Sequence, residues 1–220
     1  MLRDDGRRPD QLRPVVLTPD FVKYPEGSLL IAMGETRLLC NASIQKGAPN
    51  WKQLAGIPGG WVTAEYGMLP RSTHTRKSRE TKGLGGRTQE IRRLIGRSLR
   101  AAVDVDKLGD RTLIIDCDVL QADGGTRTAS ITGGYLALKM ALQTLIEVGE
   151  LDPSVFLSPV AAISVGMIAG TPLLDLCYRE DSAADVDVNI VMNAAGELIE
   201  VQGTAEGATF TRKALNEMLD

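Results

Sequence analysis

Three short stretches of this sequence carry residue types suited to holding an anion beside a cation. Gly85-Gly86-Arg87 stands directly before a run with helical periodicity. Unpaired N–H groups at a helix start and the positive end of its dipole favour an anion there, and the arginine adds a planar fork of donors. Asp123-Gly124-Gly125-Thr126-Arg127-Thr128 repeats the arrangement at a second predicted helix start. Its glycines permit close backbone approach, its hydroxyls donate, and an arginine stands beside them. Each stretch also has a plainer reading: Arg87 as a solvated helix-start residue, and the second run as a turn capped by Thr126 or Thr128. Two such entrances make an oxyanion clamp only if the fold brings them together. In the third stretch, Asp181, Asp185 and Asp187 crowd carboxylates whose repulsion costs stability unless water or a cation balances it. Mg²⁺ suits one or two carboxylates completed by phosphate oxygens; an ordinary acidic turn is the alternative. Strand alternation puts Asp185, Asp187 and Asn189 on one face, so spacing leaves the ligand pair open.

Charge is segregated along the chain. The net charge of −3 argues against a nucleic-acid partner. Yet ten Lys and Arg lie between Arg71 and Arg100 against only Glu80 and Glu90, whereas the last fifty residues carry ten Asp and Glu against Arg179, Arg212 and Lys213. Such a division suits a polyanion channel in one segment and a cation site in the other, or two solvated faces. His74 is the only histidine, which excludes sites built on several histidines. Cys40, Cys117 and Cys177 are widely spaced in apolar surroundings and read as buried thiols. Neither a Walker-type loop nor a dinucleotide-binding glycine pattern occurs. The opening MLRDDGRRPD lacks a signal-peptide apolar run and no stretch is long enough to span a membrane, so a soluble, cytoplasmic protein is expected.

The elements that must position these residues follow from periodicity. SLLIAM and TRLLCNASI read as strands joined by a type II′ turn at Gly34-Glu35, residues 47–60 as a loop rich in Gly and Pro, and WVTAEYGML as a further strand. Residues 68–86 are polar, basic and aperiodic, which predicts a surface loop. TQEIRRLIGRSLRAAVD places Ile91, Leu94, Ile95, Leu99, Ala102 and Val103 on one helical face and leaves four arginines on the flanks. RTLIIDCDVLQ predicts a strand, and ASITGGYLALKMALQTLIEVG a long core helix loosened by Gly133 and Gly134. VAAISVGMIAG, PLLDLCYRE, VDVNIVMN and LIEVQGTAE predict a four-stranded meander with turns at Gly170-Thr171 and Ala195-Gly196, and FTRKALNEMLD a closing helix. The order implies an α+β fold with mixed or antiparallel sheets packed on helices, without the βαβ alternation of a doubly wound sheet.

GRTQEIRRLIGRSLRA, RTLIIDCDVLQADGGTRTASITG and AAISVGMIAGTPLLDLCYREDSAADVDVNIVM, together with WVTAEYGMLPRSTHTR and DGRRPDQLRP, resemble the RNase PH family over nearly the whole chain. The resemblance implies a single RNase PH-like α+β domain over residues 1–220, of the kind found in polynucleotide phosphorylase and the exosome core. It implies a phosphate-dependent 3′→5′ exoribonuclease that trims transfer RNA precursors and other RNAs, releases nucleoside 5′-diphosphates and runs in reverse to add nucleotides. It further implies Mg²⁺, inorganic phosphate as co-substrate, and homohexameric rings built as trimers of dimers. By matching position, Arg87 and Gly125, Thr126 and Arg127 are phosphate-binding, with Arg87, Arg127, Asp181 and Asp187 catalytic. Asp181 and Asp187 are the metal-linked pair, and Arg71, Arg76 and Arg79 hold RNA. The sequence departs from the family in a longer loop over residues 43–61, a shorter stretch over 77–86 and a terminal helix that ends earlier. A catalytically silent ring subunit and a small-molecule phosphotransferase are the competing classes. Retention of both arginines, the GGT turn and both aspartates argues against the first, and the missing nucleotide-binding loop against the second.

Overall fold

The computed structural model describes residues 3–205, 207 and 209–220. Met1 and Leu2 of the polar opening, and Glu206 at the end of the last predicted strand, lie outside the described residues.

The described residues form two sheets (β1 to β9) and five α-helices (α1 to α5). The first sheet contains β1 (Val15–Pro19), β2 (Gly27–Met33), β3 (Thr36–Lys46), β4 (Trp61–Met68) and β5 (Arg111–Gln121), in the order β1-β2-β3-β5-β4. The β2–β3 hairpin turns at Gly34-Glu35, and Gly34 takes the positive φ of +57° that a II′ turn requires. β1 gave no periodic signal because all five of its residues are exposed on the sheet edge. β4 runs parallel to β5, and α2 (Gly86–Arg100) connects them. One βαβ unit is therefore present within a sheet whose other pairings are antiparallel. Residues 47–60, read as a loop, contain the short helix α1 (Asn50–Leu54). Its Lys52 is buried, with Nζ donating to the Gly60 carbonyl at 2.7 Å and facing the Trp61 ring, so local packing organises a segment without periodicity.

The second sheet has the order β7-β6-β8-β9, with β6 (Val160–Ile168), β7 (Thr171–Leu174), β8 (Val186–Asn193) and β9 (Leu198–Ala205) all antiparallel. The β6–β7 turn is Ala169-Gly170, one residue earlier than predicted, with φ of +47° and +74°. The predicted strand PLLDLCYRE ends at Leu174, and its tail becomes α4 (Tyr178–Asp181). Asp175, at φ +56°, breaks the strand direction.

Helix α3 (Thr126–Glu147) packs on β2, β3 and β5 of the first sheet and on β6 and β8 of the second. Contact on both sides explains its apolar character nearly all round, which a one-sided surface helix would not show. Gly133 and Gly134 leave it continuous. A Cβ at Gly133 would sit 2.8 Å from both Cys40 Sγ and Ile31 Cγ2, so the glycine permits close approach to the sheet instead of loosening the helix. α5 (Arg212–Leu219) closes on the second sheet through Met218.

Candidate active site

Both predicted anion-binding helix starts open onto one cavity of about 780 Å³, whose walls include Arg87, Gly124, Gly125, Thr126, Arg127, Asp181 and Asp187. The N-caps are Gly85 for α2 and Gly125 for α3, neither supplies a side-chain cap, and neither helix has an acidic residue in its first turn. Thr126 and Thr128 do not cap α3. Thr126 Oγ1 pairs with the buried Tyr66 hydroxyl at 3.0 Å, while Thr128 Oγ1 donates to the Gly125 carbonyl at 3.0 Å. Each helix instead carries an arginine where a positive charge opposes the dipole. An anion in the cavity would relieve both mismatches and satisfy the free N–H groups.

The turn before α3 is held by backbone demands that glycine alone meets. Gly124 and Gly125 lie at φ +75° and +67°, and a Cβ on Gly124 would approach the Leu176 carbonyl to 2.4 Å. Thr36 Oγ1 donates to the Gly124 carbonyl at 2.7 Å, and Arg13 Nη1 to the Asp123 carbonyl at 2.5 Å. Arg13 also reaches Asp175 through its backbone N–H (2.8 Å), Nε (3.0 Å) and Nη2 (2.6 Å), and both side chains are buried. This pair ties the opening segment to the glycine turn and to the β7–α4 connection. Arg3 grips Glu180 with Nε at 2.6 Å and Nη2 at 2.5 Å, bracing α4.

Arg127 Nη2 donates to Glu90 Oε2 at 2.9 Å, and the other Glu90 oxygen accepts from Gln202 Nε2 at 2.9 Å. Burial alone would raise the Glu90 carboxyl. The bonds from Gln202 and Arg127, with the charges of Arg127 and Arg87, outweigh it and hold the group below its ordinary value. Arg127 Nε is buried without a hydrogen-bond partner among the described residues, which leaves a donor for a ligand.

Asp181 ends α4 and Asp187 lies on β8. Burial pushes both carboxyls above their ordinary value; Asp187 is raised further by Asp181, and the charges of Arg87 and Arg127 work against the shift in both. Asp181 and Asp187 both line the cavity, and the Asp181 charge is felt at Asp187. Asp185 also lines the cavity but its Oδ2 accepts from the Ala169 N–H at 3.2 Å, and Asn189 is buried on the same wall. No cluster of three His, Cys, Asp or Glu suited to a metal occurs among the described residues.

The basic loop divides. Thr73, His74, Thr75 and Lys77 line the cavity, whereas Arg71, Arg76 and Arg79 are exposed and lie outside its wall. Sequence reasoning missed Arg13, Asp175, Tyr66, Glu90 and Gln202. The signal for Arg13 was the arginine-rich opening; an isolated Glu or Gln on a helix or strand carries none.

Residues 11–142 match domain 1, and residues 158–220 domain 2, of the 3′ exoribonuclease family RNase PH. The chain is 55% identical over 221 residues to the Ribonuclease PH of Mycobacterium ulcerans, covering 99% of this chain and 85% of that protein. It is 57% identical over 218 residues to the Ribonuclease PH of Crocosphaera subtropica, with 99% and 90% covered. Its fold is also that of a chain of the Archaeoglobus fulgidus exosome, solved with RNA bound to the active site, at a TM-score of 0.81, 22% identity and coverage of 99% and 87%. With family matches spanning both sheets and curated relatives this similar over almost its whole length, the chain belongs to the RNase PH family of 3′ exoribonucleases.

Proposed function

We propose that this chain shortens RNA from its 3′ end by transferring terminal nucleotides onto inorganic phosphate, with transfer RNA precursors among its substrates. The observation that carries the reading is the meeting of two uncapped, arginine-bearing helix starts with a carboxylate pair in one cavity. Phosphate sits between Arg87 and Arg127, taking the free Arg127 Nε–H and the N–H groups at Gly125 and Thr126. One phosphate oxygen attacks the terminal phosphodiester phosphorus, and the bond to the 3′ oxygen of the preceding nucleotide breaks. The proton of hydrogen phosphate passes to that oxygen. The products are a nucleoside 5′-diphosphate and an RNA one residue shorter, and the balanced step runs backwards when diphosphates are abundant. No covalent enzyme intermediate is required, so positioning and charge neutralisation supply the catalysis.

Asp181 and Asp187 would hold Mg²⁺. Two carboxylates raised by burial, Asp187 further by the Asp181 charge, gain from a cation, and Mg²⁺ accepts one or two carboxylates when substrate phosphates complete its shell. Bound there, the ion offsets charge on the scissile phosphodiester. Arg71, Arg76 and Arg79 grip the RNA backbone upstream without reading sequence. RNA affinity should accordingly fall with salt, and Arg76→Ala should lower the log–log salt slope by about 1 in a filter-binding titration. The packing of α3 on both sheets supports reading the chain as a single domain. Homohexameric rings, trimers of dimers, fit the exposed apolar edge formed by Val15, Val16 and Leu17 of β1, and the cytoplasm is the working compartment. No helix among the described residues is long and apolar enough to cross a membrane.

Glu90 orients Arg127, so Glu90→Ala should raise the KM for phosphate about tenfold while leaving the KM for RNA unchanged, as steady-state assays varying one substrate at a time would show. The function itself is tested by incubating purified protein with a 3′-extended transfer RNA and Mg²⁺, with and without phosphate. Phosphate-dependent nucleoside diphosphates are expected. Monophosphates, or RNA binding without release, would overturn the reading.

A further inference from the structure

Two aromatic rings at the cavity take no part in the phosphate clamp or the carboxylate pair. His74 in the basic loop and Tyr178 at the start of α4 line the wall, with ring centroids 6.0 Å apart and planes at 53°. Both are exposed, Tyr178 to 51%. They are the only aromatic side chains among the described lining residues. An apolar ring surface left open beside such polar walls calls for a partner with a flat π face.

The backbone beneath each ring is anchored. The Tyr178 N–H donates to Asp123 Oδ1 at 3.1 Å, tying its backbone to the turn before α3. The loop carrying His74 is folded by Ser72 N–H to the Leu69 carbonyl (2.9 Å), Lys77 N–H to the Pro70 carbonyl (2.8 Å) and Thr73 Oγ1 to the Thr75 carbonyl (2.7 Å). Ala122 N–H donates to the Ser72 carbonyl at 2.8 Å and pins the loop to the end of β5. A ring carried on a fixed backbone has only its side-chain rotation to lose when a ligand stacks on it. Tyr178 and Asp181 are first and last in the same turn of α4, so the platform stands one helical turn from the proposed reaction centre.

We infer that His74 and Tyr178 form a stacking platform for the nucleobase of the 3′-terminal nucleotide. This rests on the phosphorolytic reading and adds to it the means by which the leaving nucleotide is held. Every base presents a π face, so the platform accepts all four, and an end that lacks a base is held poorly.

The test compares phosphorolysis of two RNAs that differ only in a normal or an abasic 3′-terminal ribose. The wild-type protein should prefer the base-bearing end in kcat/KM by on the order of tenfold, the scale of one base–aromatic stack. Tyr178→Ala should remove most of that preference and raise the KM for RNA without changing the KM for phosphate, whereas Tyr178→Phe should keep it. His74→Ala, in an exposed loop, should reduce it in the same direction and serves if Tyr178→Ala fails to fold. Equal use of both ends by the wild-type protein, or an undiminished preference in the alanine variants, overturns the platform alone. Failure of the wild-type protein to release diphosphates from ordinary RNA overturns the phosphorolytic reading and the platform together.

Discussion

Replacing Arg87 with alanine is expected to abolish measurable phosphorolysis while leaving the folded protein as stable as before. Arg87 is exposed on the cavity wall at the second residue of α2, and it makes no hydrogen bond or ion pair with the described residues. A cation in the first turn opposes the helix dipole by about 0.3–1 kcal/mol, so its removal should be neutral or slightly stabilising. On the proposed reading, what is lost is a donor on the cavity wall where phosphate and the scissile phosphodiester bring their charges together. Removing one such preorganised donor costs about 10²–10³ in turnover, and more where it also loads the nucleophile. Release of diphosphates measured beside a thermal melt separates the outcomes. Normal turnover with an unchanged melt would remove Arg87 from the mechanism.

Asp175→Ala should destabilise the protein by about 3–5 kcal/mol, the cost of leaving a buried charge without its partner. Asp175 is fully buried, and Arg13 directs three donors to it. Without the carboxylate, the Arg13 guanidinium remains buried with the Asp123 carbonyl as its best acceptor. The backbone adds to the cost, because φ of +56° is tolerated better by Asp or Asn than by Ala. Asp175→Asn keeps the shape and the φ tolerance while removing the charge, so comparing the two in urea unfolding separates ion pairing from backbone strain. Both variants should also lower activity, since the same contact holds the glycine turn against α4. A midpoint for Asp175→Ala within error of wild type would show that the pair does not brace the site.

Much of the architecture was legible because regular elements leave regular patterns. The alternation in SLLIAM and RTLIIDCDVLQ and the helical spacing of Ile91, Leu94, Ile95 and Leu99 follow from burying one face of a strand or helix, and the strands β2, β3, β4, β5, β6, β8 and β9 lie close to where those patterns put them. Where burial was not one-sided, the pattern failed. β1 is exposed along its whole length, α1 is held by the single buried Lys52, and Asp175 turns the chain so that PLLDLCYRE ends as helix instead of strand. Gly133 reads as a weak point when only helix propensity is considered, and as a contact surface once the sheet lies against it.

The sequence by itself determined which short runs are chemically unusual: glycines beside arginines at helix starts, and carboxylates crowded over a few residues. Those traits are local, set by backbone freedom and by charge repulsion between near neighbours. Only the tertiary structure decided that the starts of α2 and α3 share one cavity with Asp181 and Asp187, and that Asp185 turns its Oδ2 to the Ala169 N–H. It also decided that Glu90, itself held by Gln202, restrains Arg127, and that Arg13 locks onto Asp175. Hydrogen bonds and ion pairs between residues far apart in the chain form because β-sheet pairing and the packing of α3 fix their distances, and nothing in the spacing of the partners along the sequence encodes them.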